Sequence, residues 1–189
     1  TGYTTLSQAV TSATSGDVIK LKKSFSTTNI LIDKNITITL ADDVVADLTV
    51  YKVEPGDLFT VKSGITLTII GTDTLHIILD GNGFSQNGAI FSISGVVNAN
   101  NLILQNNFSS GAGVIVMQGG SNGSLFKNCT IKDNRASVGS AFYCNYANVN
   151  FTFENVTFEN NSSTGDGIIA NKGKLALTDC VVKNNTAKN

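Results

Sequence analysis

Hydrophobic and polar positions alternate through the second half of the chain in a pattern that returns four times. Val97-x-Ala99-x-Asn101-Leu102-x-Leu104-x-x-Asn107 is followed by Ser124-x-Phe126-x-Asn128-Cys129-x-Ile131-x-x-Asn134. Phe151-x-Phe153-x-Asn155-Val156-x-Phe158-x-x-Asn161 and Leu175-x-Leu177-x-Asp179-Cys180-x-Val182-x-x-Asn185 complete the series. Ala99, Ser124 and Asp179 are its weak members. The closing residues Asn107, Asn134, Asn161 and Asn185 follow one another at 27, 27 and 24 residues. A period of this size marks a repeat architecture, in which one unit cannot bury its own apolar face and stacks on the next. The most regular repeats span 97–187.

The chain opens differently. Thr5-Leu6-Ser7-Gln8 reads as a capping box, with Leu6, Ala9, Val10 and Ala13 at helical spacing and Ser15-Gly16-Asp17 as the stop. A short helix over 4–15 is expected to cover the open end of the stack, where bare strand edges would otherwise pair with other chains. Beyond it lie short β-branched runs: Val18–Leu21, Ile30–Ile32, Ile36–Leu40, Leu58–Val61, Ile65–Ile69 and Leu75–Leu79. Asp80-Gly81-Asn82-Gly83 is a turn. A glycine-led block also recurs, and its bulky residues Leu58, Ile90, Ile115, Phe142 and Ile169 are placed together, facing inward.

Equivalent positions recur once per repeat and in one chain direction. Each strand therefore lies beside its counterpart one turn on, which defines a parallel coil. The expected fold is all-β, a parallel β-helix solenoid with a short N-terminal capping α-helix. Residues 1–189 form one domain, expected to be a piece of a longer repeat protein. Asn101, Asn128, Asn155 and Asp179 fall at the bend between two inward pairs, where the left-handed conformation suits Asn. Stacked amides there can bond along the coil as a ladder. Asn107, Asn134, Asn161 and Asn185 are expected to close the third side in the same way.

Composition narrows the chemistry. A net charge of −1 and a single arginine, Arg135, leave no basic footprint for nucleic acid. Apolar runs such as Ile77-Ile78-Leu79 are too short to span a bilayer. Three cysteines, Cys129, Cys144 and Cys180, form no closed disulfide framework and read as small core residues. Cys129 and Cys180 share a repeat position with Val156 between them, about 10 Å apart at strand spacing and too far to bond. A catalytic thiol would need a base, and the one histidine, His76, lies in another repeat. Asp42, Asp43 and Asp47 are the candidate metal ligands, since a hard cation such as calcium takes several oxygens. Glu159 and Asp133 are read as sharing the position next to the closing asparagine, which would make a small acidic stripe, although Lys132 and Lys183 favour a mixed, solvated face. No catalytic or cofactor-binding residue is assigned. Asn-x-Ser/Thr sequons are dense, several of them on the corner asparagines themselves, and would be acceptor sites only on a secreted chain.

The glycine-led block together with Phe153-Glu154-Asn155-Val156-Thr157-Phe158-Glu159-Asn160-Asn161 resembles the paired repeats of chlamydial polymorphic outer membrane proteins. The whole chain is more similar to the adhesin-like surface proteins of methanogenic archaea, including an opening Tyr3–Leu21 like their N-terminal cap. The resemblance implies a right-handed, pectin-lyase-like β-helix. It also implies an extracellular, cell-surface location, a monomeric stalk, and a host or partner cell surface or polysaccharide as the partner. The motif is not strict: Ala112-Gly113-Val114, Gly139-Ser140-Ala141 and Asp166-Gly167-Ile168 stand where a Gly-Gly-Ala would. The acidic and basic motifs of pectate lyases and polygalacturonases have no counterpart. A polysaccharide lyase or hydrolase with its site at Asp42–Glu54 or outside this piece of the chain, and a spacer with no ligand, are the alternatives.

Overall fold

The structure is a computed structural model that describes residues 2–83 and 88–188. Thr5 caps the helix Leu6–Ser12, its side chain accepting the Gln8 N–H at 3.2 Å. The helix is shorter than the 4–15 expected: Ala13 is already extended, with φ −67° and ψ 153°. Leu6, Ala9 and Val10 are its buried face, set against the strand Ile30–Ile32.

The rest of the described chain is a right-handed parallel β-helix. Its first wall has seven strands: Val18–Leu21, Ile36–Leu40, Thr66–Ile70, Val96–Asn100, Ser124–Lys127, Asn150–Glu154 and Lys174–Thr178. The second also has seven: Phe25–Thr27, Leu48–Lys52, Ile77–Asp80, Leu102–Gln105, Thr130–Lys132, Thr157–Glu159 and Val181–Lys183. Six strands make the third: Ile30–Ile32, Phe59–Val61, Phe91–Ile93, Ile115–Met117, Phe142–Cys144 and Ile169–Asn171. A short fourth sheet joins Arg135–Ala136, Ser162–Ser163 and Thr186–Ala187.

Register follows the sequence template in the second half. Phe126 pairs with Phe153 and Phe153 with Leu177, one column as expected. Thr130 pairs with Thr157 and Thr157 with Val181, which sets Val156 between Cys129 and Cys180. The core between the walls is dry and aromatic: Phe153 stands 4.7 Å from Phe151, 5.0 Å from Phe158 and 5.5 Å from Phe142, centroid to centroid. Ser124, one of the three weak template members, is buried, and its Oγ accepts the Val97 N–H at 3.0 Å.

Three expectations are corrected. In the glycine-led strand Ile115 pairs with Phe91, not Ile90, and Phe91 with Phe59, not Leu58. Leu58 and Ile90 are fully buried all the same, because the strand is entered through a bend that turns two successive residues inward. Asn101, Asn128, Asn155 and Asp179 do take positive φ, from 51° to 55°. The third-side bend, however, belongs to the preceding residues Asn106, Asp133, Asn160 and Asn184, at φ 54–55°. Asn107, Asn134 and Asn161 instead point inward, fully buried, and they and Asn185 form the stronger ladder. Finally, Asp133 stacks with Asn160, while Glu159 lies between Lys132 and Lys183. No acidic stripe forms; Glu159 meets Lys183 Nζ at 3.2 Å.

Candidate functional site

The sharp bend between the first and second walls leaves a shallow trough running along the coil axis. Asn101, Asn128 and Asn155 line its edge, Thr130 and Thr157 its floor, and Asp73 and His76 one end; its volume is about 390 Å³. Left-handed asparagine turns the chain tightly enough that successive corners stack, and their amides bond: Asn155 Nδ2 donates to Asn128 Oδ1 at 2.8 Å. Asn128 Nδ2 then donates to Asn100 Oδ1 at 3.0 Å, so the ladder's last rung is Asn100, not Asn101. Thr130 and Thr157 alternate with inward Ile131 and Phe158, which turns their hydroxyls outward. The outcome is a row of amides and hydroxyls at strand spacing, about 4.8 Å per coil. Such a row can exchange hydrogen bonds with a polyhydroxylated chain laid along it.

At the trough's end, His76 and Asp47 meet. The Asp47 carboxylate accepts the His76 backbone N–H at 2.7 Å, and Nδ1 lies 3.5 Å from the same oxygen. Their contact depends on which residues two successive coils bring side by side, and sequence spacing alone did not find it. A second groove, about 260 Å³, lies over the fourth sheet between Phe108, Ser109, Arg135, Ser137 and Thr164. Phe108 and Arg135 are bridge partners there.

The metal candidates are separated by their partners. Asp42 is bound to Lys20 at 2.8 Å, and that hydrogen bond, then the lysine's charge, holds its carboxyl below the usual range. Asp43 pairs with Lys22 at 3.9 Å, and Asp47 with His76. Among the described residues, no group of three or more His, Cys, Asp or Glu is placed to hold a metal ion. Asp80 is occupied in its turn, accepting from Asn82 N–H at 2.7 Å and from the Gln105 and Asn106 amides.

Cys129 lines the same trough as His76, yet its Sγ donates to the Lys127 carbonyl at 3.1 Å. Burial pushes its thiol up to about 12, so it stays protonated and inert at neutral pH. Cys144 is buried, and Cys180 is partly buried and packed against the core. Among the described residues, no helix is long and apolar enough to cross a membrane.

The family model for the right-handed β-helix region matches residues 34–189. The chain therefore belongs to the right-handed β-helix family. No curated protein matches it in sequence. This fold carries both binding proteins and enzymes, so function has to be argued from the surface just described.

Proposed function

We propose that the chain is part of an extracellular, adhesin-like cell-surface protein. Its β-helix acts as a stiff stalk and a repeated wall that attaches to cells or glycans. The observation that carries this reading is the in-register row of Asn101, Asn128, Asn155, Thr130 and Thr157 along one trough. Each contact of an amide or hydroxyl with a sugar is weak in water, since it exchanges one hydrogen bond for another. Repetition along the coil, and over many copies on a surface, multiplies them into avidity. The expectations of a monomer and of a polysaccharide or cell-surface partner, from the resemblance, and of no nucleic acid, from the charge balance, belong to this same reading.

The alternative of a polysaccharide lyase or hydrolase gains one specific observation: His76 and Asp47 meet at the trough's end, with Asp73 beside them. Acid–base work on a glycosidic bond needs titratable groups around one sugar subsite. Against it, five acids away from the trough's end, Asp33, Asp42, Asp43, Glu154 and Glu159, are each paired with a lysine, as Glu154 is with Lys127 at 2.6 Å.

One paired experiment separates the readings. The chain is displayed as single copies and as clusters on a glycan array, and incubated with pectin and polygalacturonate with and without calcium. The expected result is binding by clusters alone and no depolymerisation. Depolymerisation that disappears in Asp47→Asn or His76→Ala would replace the adhesin by the enzyme. No binding even by clusters would leave the spacer.

A further inference from the structure

Lys52 is 1% exposed, and lysine is almost never buried to this degree unless its charge is paired. Tyr51 pairs with Asp80 and Asp80 with Gln105, so Lys52 stands beside Gly81 and two coils from Asn106-Asn107. Gly81 makes the crossing possible. A Cβ at that position would lie 2.4 Å from the Asn107 Cα and 2.8 Å from its Cβ. Lys52 Nζ thereby passes the intervening coil and donates to Asn107 Oδ1 at 3.5 Å. The amide carbon, about 1.23 Å from that oxygen, lies within about 4.7 Å of Nζ.

Asn107 is held in place. It is 1% exposed, its N–H donates to Asn134 Oδ1 at 2.9 Å, and its Nδ2 donates to the Gly88 carbonyl at 3.1 Å. Burial lowers the Lys52 pKa, and the charge of Asp57 acts in the opposite sense. Asp57 is itself fixed, accepting the Ala89 N–H at 2.8 Å. Desolvation favours the neutral, nucleophilic form of a lysine amine, and holding it beside one amide replaces an encounter by a fixed neighbour.

We propose that Lys52 and Asn107 join in an intramolecular isopeptide bond, closed by the folded chain itself. Asp57, the carboxylate whose charge acts on Lys52, takes a proton from its ammonium as the two side chains close on each other. The freed amine moves along the amide onto Cγ of Asn107 and forms the new C–N bond. The proton on Asp57 passes to Nδ2, the Cγ–Nδ2 bond breaks and ammonia leaves. The new amide nitrogen sheds its extra proton through Asp57 to the ammonia, so ammonium is released and Asp57 ends as it began. One C–N bond forms, one breaks, and no oxidant or reductant is needed. The link ties coils two apart at the end of the asparagine ladder, and it does not rest on the adhesin reading.

Intact mass spectrometry of the purified chain tests it. The expected mass is the sequence mass less one ammonia, with a branched peptide carrying Lys52 and Asn107 after proteolysis. Succinimide formation at Asn82-Gly83, Asn87-Gly88 or Asn122-Gly123 would lose the same mass, so Lys52→Arg is compared. The deficit vanishes there if the isopeptide is its source and persists if a succinimide is. Asp57→Asn is expected to keep the circular dichroism spectrum of the parent and carry the full mass; a linked Asp57→Asn chain would overturn the role given to Asp57. A wild-type chain at full sequence mass, or a deficit unchanged in Lys52→Arg, would overturn the bond itself; the wild-type mass and branched peptide decide even if a variant fails to fold.

Discussion

Asn134 Nδ2 donates to Asn161 Oδ1 at 2.9 Å, deep under the bend that joins the second wall to the fourth sheet. The same Nδ2 reaches the Leu104 carbonyl at 3.1 Å, and Asn134 Oδ1 accepts the Asn107 N–H at 2.9 Å. Asn161 repeats the arrangement one coil on, with Asn185 at 3.0 Å and the Ile131 carbonyl at 2.8 Å. Each amide thus satisfies the backbone of the coil before it, where water does not reach.

Asn134→Ala therefore strands the Asn107 N–H and the Leu104 carbonyl, at a cost on the order of 3 kcal/mol. Asn155→Ala, at the more exposed corner, is expected to cost about 1–2 kcal/mol through a lost rung and a strained bend. Asn155→Gly should cost less than Asn155→Ala, because φ is +52° there. Urea midpoints of the three variants give the order.

Phe153→Ala removes a fully buried ring that touches Phe126, Phe142, Phe151 and Phe158. A cavity among rings fixed by both neighbouring coils collapses poorly, so the loss is expected at about 3–5 kcal/mol. An Asn155→Ala effect larger than that of Phe153→Ala, read from the same denaturant curves, would contradict this placement.

Thiol chemistry reports burial coil by coil. In the native chain Cys180 is expected to alkylate first, with Cys129 and Cys144 reacting only on unfolding, as peptide mapping after a timed pulse would show. Cys129 also sets a pH dependence. Below about pH 9 its thiol is protonated in both states and its contribution is intact. Between 9.0 and about 12 the unfolded chain sheds that proton while the folded chain holds it, so stability falls. Cys129→Val should flatten this part of the slope when midpoints are followed from about pH 8 to about pH 10.5.

The regular half of the coil was legible because its template returns at 27, 27 and 24 residues, from Asn98 to Leu125, Thr152 and Ala176. Earlier turns run 31 residues from Thr37 to Thr68 and 30 from Thr68 to Asn98, so no fixed period exposes them. The paired residues Asn106-Asn107, Asp133-Asn134 and Asn160-Asn161 set the limit on the ladder. Either member can bend the chain: strict alternation from Leu104 in and Gln105 out would put Asn106 inward, and it is the left-handed bend at Asn106 that turns Asn107 inward instead. His76 with Asp47, and Lys52 with Asn107, are contacts across coils of unequal length. Their partners lie 29 and 55 residues apart, across turns of 29 residues from Leu48 to Ile77 and 25 from Ile77 to Leu102 that do not match the 27-residue repeat.

The central claim is that the repeated corner face binds by multiplicity. Retention of clustered chains on a glycan array or a cell layer measures it most directly, with a Thr130→Lys, Thr157→Lys variant beside the parent. Both threonines point outward, so the variant is expected to keep the fold by circular dichroism. The expected result is retention of clustered parent, none of single copies, and a loss of at least about tenfold in the clustered variant. Equal retention of parent and variant, or none by the clustered parent, would contradict the assignment of this face as the binding wall.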